Sequence, residues 1–393
     1  MRGRSTVACA LALSVAGTGV PARIASGRPP DRTPGAVRFF KVANSAFDPY
    51  TRSPGSEQQA WMRHAYRRML VYAPYFDPRL AWFPDAWVYK DLYAIYVDSP
   101  RAAEHPEWIL RDGAGNRLYI PYGCKGGSCP QFAADVGDAG YRAQWIAAAV
   151  ATLAKGYRGL FIDDVNMTVS RVGDGAGRPV PPIDRRRGQE MTEADWRRAV
   201  AEFTEEIRAR LPDTEIVHNA LWFVGHDDPL VQRQLLSASV INLERGVNDG
   251  GIVGGSGTYG FETLLTHVDW LHAHDRAVVF DAGAASDQGR EYGLAAYLAL
   301  DGGRDLLGND PRGTPDDWWS GYDVDLGAPA GGRYRWHEVL RRDFERGIVL
   351  VNPPGAPARA LAVGEGYVDL GARPQPAVTL GPAEGRVLRK ERS

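Results

Sequence analysis

Two aspartates stand side by side in GLFIDDVNM, residues 159–167, directly after a run of apolar residues, and a glutamate closes a similar run in VINLERG, residues 240–246. A short apolar run bounded by glycine reads as a buried strand, and the first acid beyond it emerges at the strand's carboxyl end. In parallel α/β folds that end carries the chemistry. Two carboxyls facing each other across such a mouth suit hydrolysis of a glycosidic bond: one attacks or stabilises the anomeric carbon and the other protonates the leaving oxygen. On this reading Asp163 is the nucleophile or charge stabiliser, and Glu244 is the general acid/base, kept protonated near neutral pH. Asp164 points elsewhere by strand alternation and is expected to support Asp163 by hydrogen bonding.

The elements that would position these acids follow a strand-then-helix rhythm. RFFKVANS, LVYAPYF, DLYAIYVDSP, GLFIDD, EIVHNALWF, SVINLERG, RAVVFDAG and RDLLGND are eight strand candidates, with helical apolar spacing in EQQAWMRHAYRRM, YRAQWIAAAVATLAK, the run opened by Thr192, YGFETLLTHVDWLHAHD and SDQGREYGLAAYLALDGG. This predicts an α/β chain folded as a (β/α)8 TIM barrel over residues 37–344. An open doubly wound sheet would carry a Gly-rich turn after its first strand, and VANSAFDP has none. From Glu345 to the end, short β-branched runs broken by Pro and Gly predict a small all-β domain, residues 345–393.

If the strands are so placed, the rim also carries Asn44, Tyr75, Asp77, Asp98, Asn219, Asp281, Asn309 and Asp310; of these Asn44, Tyr75, Asp98, Asn219, Asp281 and Asp310 are expected, with Asp164, to contact substrate. Trp222 and Trp318, each just beyond a strand end, are the expected stacking platforms for a sugar ring. No cluster of His or Cys joins them, so neither a metal nor a cofactor is expected. The Gly-rich segment 246–260 reads as a mobile loop over the sixth strand, and DRRRG, residues 184–188, as a solvated loop.

Lys and Arg total 46 against 48 Asp and Glu in 393 residues, so no global field draws the chain to nucleic acid or an anionic membrane. Arg2 and Arg4 precede an apolar stretch and then small residues, the pattern of a secretory signal peptide over residues 1–26, followed by a Pro-rich linker, 27–36. The apolar stretch is too short to span a bilayer, and the expectation is a secreted protein with no membrane span. Beyond that segment Cys124 and Cys129 are the only cysteines; they read as a local disulfide, the rival being half a zinc site.

GLFIDDVN resembles the fourth-strand motif of amylase-like enzymes and of the endo-polygalactosaminidases, and both comparisons point to Asp163, the latter also implying a later glutamate, Glu244 here. The combination of FFKVANS, PEWILRDGAGNRLYIPYG, GLFIDDVNM and VLVNPPG is most similar to hypothetical glycosyl hydrolase family 15, over nearly all of the chain after the signal segment. That resemblance implies a barrel glycoside hydrolase acting on a polysaccharide or oligosaccharide. The amylase pattern has Arg where this chain has Phe161, so amylase specificity does not carry over. Two alternatives stay open: a metal-dependent polysaccharide deacetylase, using the aspartates with His267 and His272, and a barrel that binds glycan without cleaving it.

Overall fold

β-Branched and aromatic residues alternate in the apolar runs, so each strand has two buried faces, one toward a barrel interior and one toward covering helices. In the computed structural model, which describes residues 35–391, eight parallel strands close into a barrel. They are β1 (Phe39–Ala43), β2 (Tyr66–Val71), β3 (Ala86–Asp91), β4 (Gly159–Asp163), β5 (Glu215–Asn219), β6 (Val240–Glu244), β7 (Ala277–Asp281) and β8 (Leu306–Gly308). Each pairs with the next and β8 returns to β1. The expected signal segment and most of the linker lie outside the described residues.

Phe40, Leu70, Trp87, Phe161, Val217 and Val279 fill the interior, while their strand neighbours, such as Leu160 and Ile162, pack outward. The floor is closed by charge. Glu215 accepts two bonds from the Arg68 guanidinium (2.8 and 2.6 Å) and one each from Trp87 Nε1 and Arg158 Nε (both 2.8 Å). Burial alone would raise Glu215, but Arg68 and these donors hold it down to about 2.

Six helices cover the strands: α1 (Ser56–Ala65), α2 (Ala139–Leu153), α3 (Glu193–Arg210), α4 (Pro229–Ser237), α5 (Phe261–Ala273) and α6 (Asp287–Leu300). Thr192 and Asp195 form the capping box at the start of α3 that the sequence suggests. The sequence reading missed α4, which Asp228 caps and Pro229 opens.

Two strands differ from expectation. β2 starts at Tyr66, four residues before the expected run, because Arg68 is not a helix-face residue but an inward one, neutralised by Glu215. β3 is AWVYKD, not DLYAIYVDSP; Ala94–Tyr96 instead forms a two-stranded ribbon with Gln131–Ala133. Lys90 disguised this strand. Its ammonium sits over the Trp145 ring of α2 at 4.8 Å, so a residue that reads as polar is half-buried on the strand's outer face.

After β8 the chain forms β9 (Tyr334–Trp336), β10 (Val339–Phe344), β11 (Gly347–Asn352), β12 (Arg359–Ala362), β13 (Tyr367–Val368), β14 (Ala377–Leu380) and β15 (Glu384–Lys390). The main sheet has the order β9-β10-β11-β15-β13, so it reaches back before Glu345, and β12 pairs with β14. β11 and β15 pack on α6, which is buried nearly all round because it lies between barrel and sheet. A Cβ on Gly385 would come within 2.8 Å of Ala295 Cβ, so the approach of β15 to α6 requires glycine there. Cys124 and Cys129 are joined by a disulfide of 2.07 Å. No helix among the described residues is long and apolar enough to cross a membrane.

Candidate active site

Side-chain alternation turns Asp91, Asp163, Asn219, Asn242, Glu244 and Asp281 inward at the carboxyl ends of neighbouring strands, with Asp91 beside Asp163 and Glu244 beside Asp281 in register. Three donors converge on Asp163. Tyr89 Oη donates to Oδ2 at 2.8 Å, while Asn219 Nδ2 and the Asp164 backbone N–H donate to Oδ1 at 2.8 and 2.9 Å. The same Asn219 nitrogen lies 3.4 Å from Glu244 Oε2, and Asn242 Nδ2 donates to Asn219 Oδ1 at 3.0 Å, which fixes the amide's orientation. The pair expected from the sequence is thus brought to one carboxamide.

The residues after β4, β6 and β8 are Asp164 (φ 54°), Arg245 (φ 62°) and Asn309 (φ 61°), all left-handed. Strain of this kind in non-glycine residues concentrates at functional sites. Asn309 favours the charged form of Asp281. A Cβ on Gly308 would fall 1.9 Å from the Phe40 carbonyl oxygen, so only glycine lets β8 close against β1 here.

Burial in the mouth favours the protonated form of several carboxyls. Burial pushes Asp281 up to about 7; Glu244's charge adds to this, while Asn309 and Lys41 oppose it. Burial and the adjacent Asp163 push Asp164 up to about 6, and burial with both neighbouring aspartates pushes Asp91 well above the carboxylate range. Glu244 is the exposed member of the group, and its neighbour Asp281 is the one on which burial acts.

Several expected rim residues have other work. Asn44 caps a short 3-10 turn by accepting from Ala46 N–H at 3.0 Å. Tyr75 lies under the Arg79 guanidinium, 4.1 Å from the ring centroid, in the packing between β2 and β3. Asp98 is exposed beyond the short ribbon, because the strand it was thought to end is not in the barrel. Asp310 is fully buried and bound to Arg290 Nε (2.9 Å) and to the N–H groups of Arg312 and Ala284, so Asn309, not Asp310, faces the mouth.

Trp222 is buried in the outer core, and Trp318 packs edge-on against Phe39, Trp61 and Tyr66 outside the barrel; neither offers a free face in the mouth. The exposed aromatics near Asp163 are Tyr72, whose ring lies 5.0 Å from that of Tyr89, and Tyr96. Burial and then the charge of Asp163 and the nearby Tyr96 raise Tyr72. His267, on α5, is buried beside the His226 ring, and His272 Nε2 lies 2.9 Å from Asp305 Oδ2. Among the described residues no group of three or more His, Cys, Asp or Glu is placed to hold a metal ion. The segment 246–260 is tied down at Gly254, packed against the Pro354 carbonyl, and by Asn248 to Gly289. In DRRRG, Asp184 pairs with Arg186 and Arg187.

Asp91, Tyr89 and Asn242 were missed by the sequence reading, whereas Asn309 was expected at the rim beside Asp310. WVYKD carries the same signal as LFID, an apolar run closing on an acid, and Lys90 obscured it.

Fold and site together define a closed parallel (β/α)8 barrel with an acid-lined mouth and a C-terminal antiparallel sheet. No family model matches the sequence, and no curated protein matches it. Similar solved structures include the glycoside hydrolase domain of PelA from Pseudomonas aeruginosa (17% identity, 74% of this chain and 97% of that one, TM-score 0.43). Others are an isomalto-dextranase from Arthrobacter globiformis T6 (13%, 94% and 76%, TM-score 0.48) and an alpha-amylase from Lactobacillus plantarum (11%, 90% and 99%, TM-score 0.44).

Proposed function

We propose that the protein is a glycoside hydrolase that cleaves a polysaccharide or oligosaccharide with Asp163 and Glu244. The observation that carries this reading is the single Asn219 nitrogen within 2.8 Å of Asp163 Oδ1 and 3.4 Å of Glu244 Oε2. Those two oxygens are no farther apart than the two contacts laid end to end. The retaining course, in which the two carboxyl groups stand roughly 5–5.5 Å apart, is the one proposed.

In that course Asp163 attacks the anomeric carbon through Oδ2, which accepts one hydrogen bond against two at Oδ1. As the glycosidic C–O bond breaks, the proton of Glu244 passes to the leaving oxygen. Glu244 then takes a proton from water, the resulting hydroxide equivalent displaces Asp163 from the anomeric carbon, and both carboxyls return to their starting states. Exposure suits Glu244 to meet a leaving group and water, and three fixed donors suit Asp163 to hold one orientation. Membership of hypothetical glycosyl hydrolase family 15 and export through the amino-terminal segment belong to the same proposal.

The test is product release, followed by mass spectrometry, from neutral, acidic and amino-sugar polysaccharides, with proton NMR of the first-formed anomer. Asp163→Asn and Glu244→Gln are each expected to lower cleavage by on the order of 10²–10⁴-fold. Full activity in Glu244→Gln would remove it from the mechanism. Chelator-sensitive release of acetate would instead identify a deacetylase, and binding without product a glycan-binding barrel.

A further inference from the structure

Asp91 and Asp164 face each other beside Asp163. Asp91 Oδ1 accepts from the backbone N–H groups of Tyr93 and Ala94 at 2.8 and 2.6 Å, Asp164 Oδ1 accepts from Asn166 Nδ2 at 2.8 Å, and the two carboxyls are hydrogen-bonded to each other. Two carboxylates cannot bond in this way unless one of them carries a proton. Asp164 is also the left-handed residue whose backbone N–H donates to Asp163 Oδ1.

We propose that Asp91 and Asp164 share one proton and act as a clamp that holds Asp164 left-handed, so that its N–H fixes the orientation of the reacting carboxylate Asp163. Asp91 and Asp164 are therefore positioning residues, and this role rests on Asp163 being the reacting group. A lone left-handed aspartate relaxes readily to a right-handed or extended conformation, which would carry its N–H away from Asp163. The bond from Asp91 opposes that relaxation. Burial favours the protonated form of Asp91, and loss of that proton would set two anions against each other.

The surroundings determine when this happens. Asp163, Tyr89 and Lys90 lie on the two strands, Tyr93 follows β3, Tyr141 of α2 packs from outside, and Arg171 from the loop after β4 is the cation that favours ionised Asp164. Asp163 opposes ionisation of both clamp residues, while Lys90 feels the Asp91 charge.

Two readouts on the full chain test the clamp. Carboxyl-carbon NMR should find Asp91 protonated at pH 7, and hydrogen exchange should find the Asp164 amide protected in the wild type and in Asp91→Asn, which keeps a donor, but not in folded Asp91→Ala. On a substrate found by the product screen, Asp91→Ala should lose kcat by on the order of 10²-fold with KM little changed. Asp91→Asn should stay within a few fold of wild type and lose the alkaline fall in kcat that ionisation of Asp91 causes.

Ionised Asp91 at pH 7, or unchanged Asp164 protection in Asp91→Ala, would overturn the proposal. So would an alkaline limb unaltered in Asp91→Asn. If the NMR and exchange results hold while no glycan is cleaved, the clamp stands and the hydrolase reading fails, so the two failures are distinguishable.

Discussion

Asp163 and Glu244, on strands separated by β5, meet at the carboxamide nitrogen of Asn219, which lies 2.8 Å from one and 3.4 Å from the other. The donor is fixed by a second amide, since Asn242 bonds Asn219 Oδ1. Positions of charge in the mouth are thus set by neutral side chains whose own orientation is fixed from below.

Asn219→Ala should therefore lower kcat by on the order of 10²-fold, the cost of removing one preorganised donor from a site where charge develops. KM should change little, because the donor acts on the catalytic carboxyls. Unchanged kcat in Asn219→Ala, measured on a substrate that the wild type cleaves, would show that the shared amide has no role in turnover.

Asp281 reports the cost of burying acid in the mouth. Its folded-state pKa is raised to about 7, so the folded protein holds a proton that the unfolded chain has released, and stability falls as pH rises from the ordinary carboxylate range through about 7. Asp281→Asn removes that titration. The variant should match the wild type near pH 4 and exceed it at pH 8 by on the order of 1 kcal/mol in denaturant unfolding; equal stability at both pH values would contradict the assignment.

The floor behaves in the opposite sense. Glu215 is held down to about 2 by Arg68 against the effect of its own burial, so its contribution is complete above the unfolded carboxylate range and is lost as pH falls toward 2. Glu215→Ala leaves buried Arg68 with only the longer contact to Asp85 (3.9 Å) as an acidic partner and should cost about 3 kcal/mol at pH 7. Urea melts of wild type and variant at pH 7 and pH 3 should show the difference shrinking in acid.

Two aromatic substitutions should separate packing from recognition. Trp318→Ala opens a hole among Phe39, Trp61 and Tyr66 and should cost about 3 kcal/mol of stability with little change in KM. Tyr72→Ala, at the exposed ring beside Tyr89, should raise KM by roughly tenfold at similar stability. The reverse pattern would place the sugar against Trp318.

The sequence by itself determined the barrel, because a strand with two buried faces and a helix with one apolar stripe are local patterns readable within a dozen residues. It also determined that Asp163, Glu244 and Asp281 close their strands, since an acid directly after an apolar run leaves the core at that point. Only the tertiary structure decided that Asp91 joins them: β3 hides Lys90 under an aromatic ring on a neighbouring helix, a contact between residues far apart in the chain. Likewise Asp310 and Trp318, equally plausible by position, turned away from the mouth. Arg290 neutralises one in the interior and an aromatic cluster outside β1 takes up the other, and such partners exist only once the helices and loops have packed.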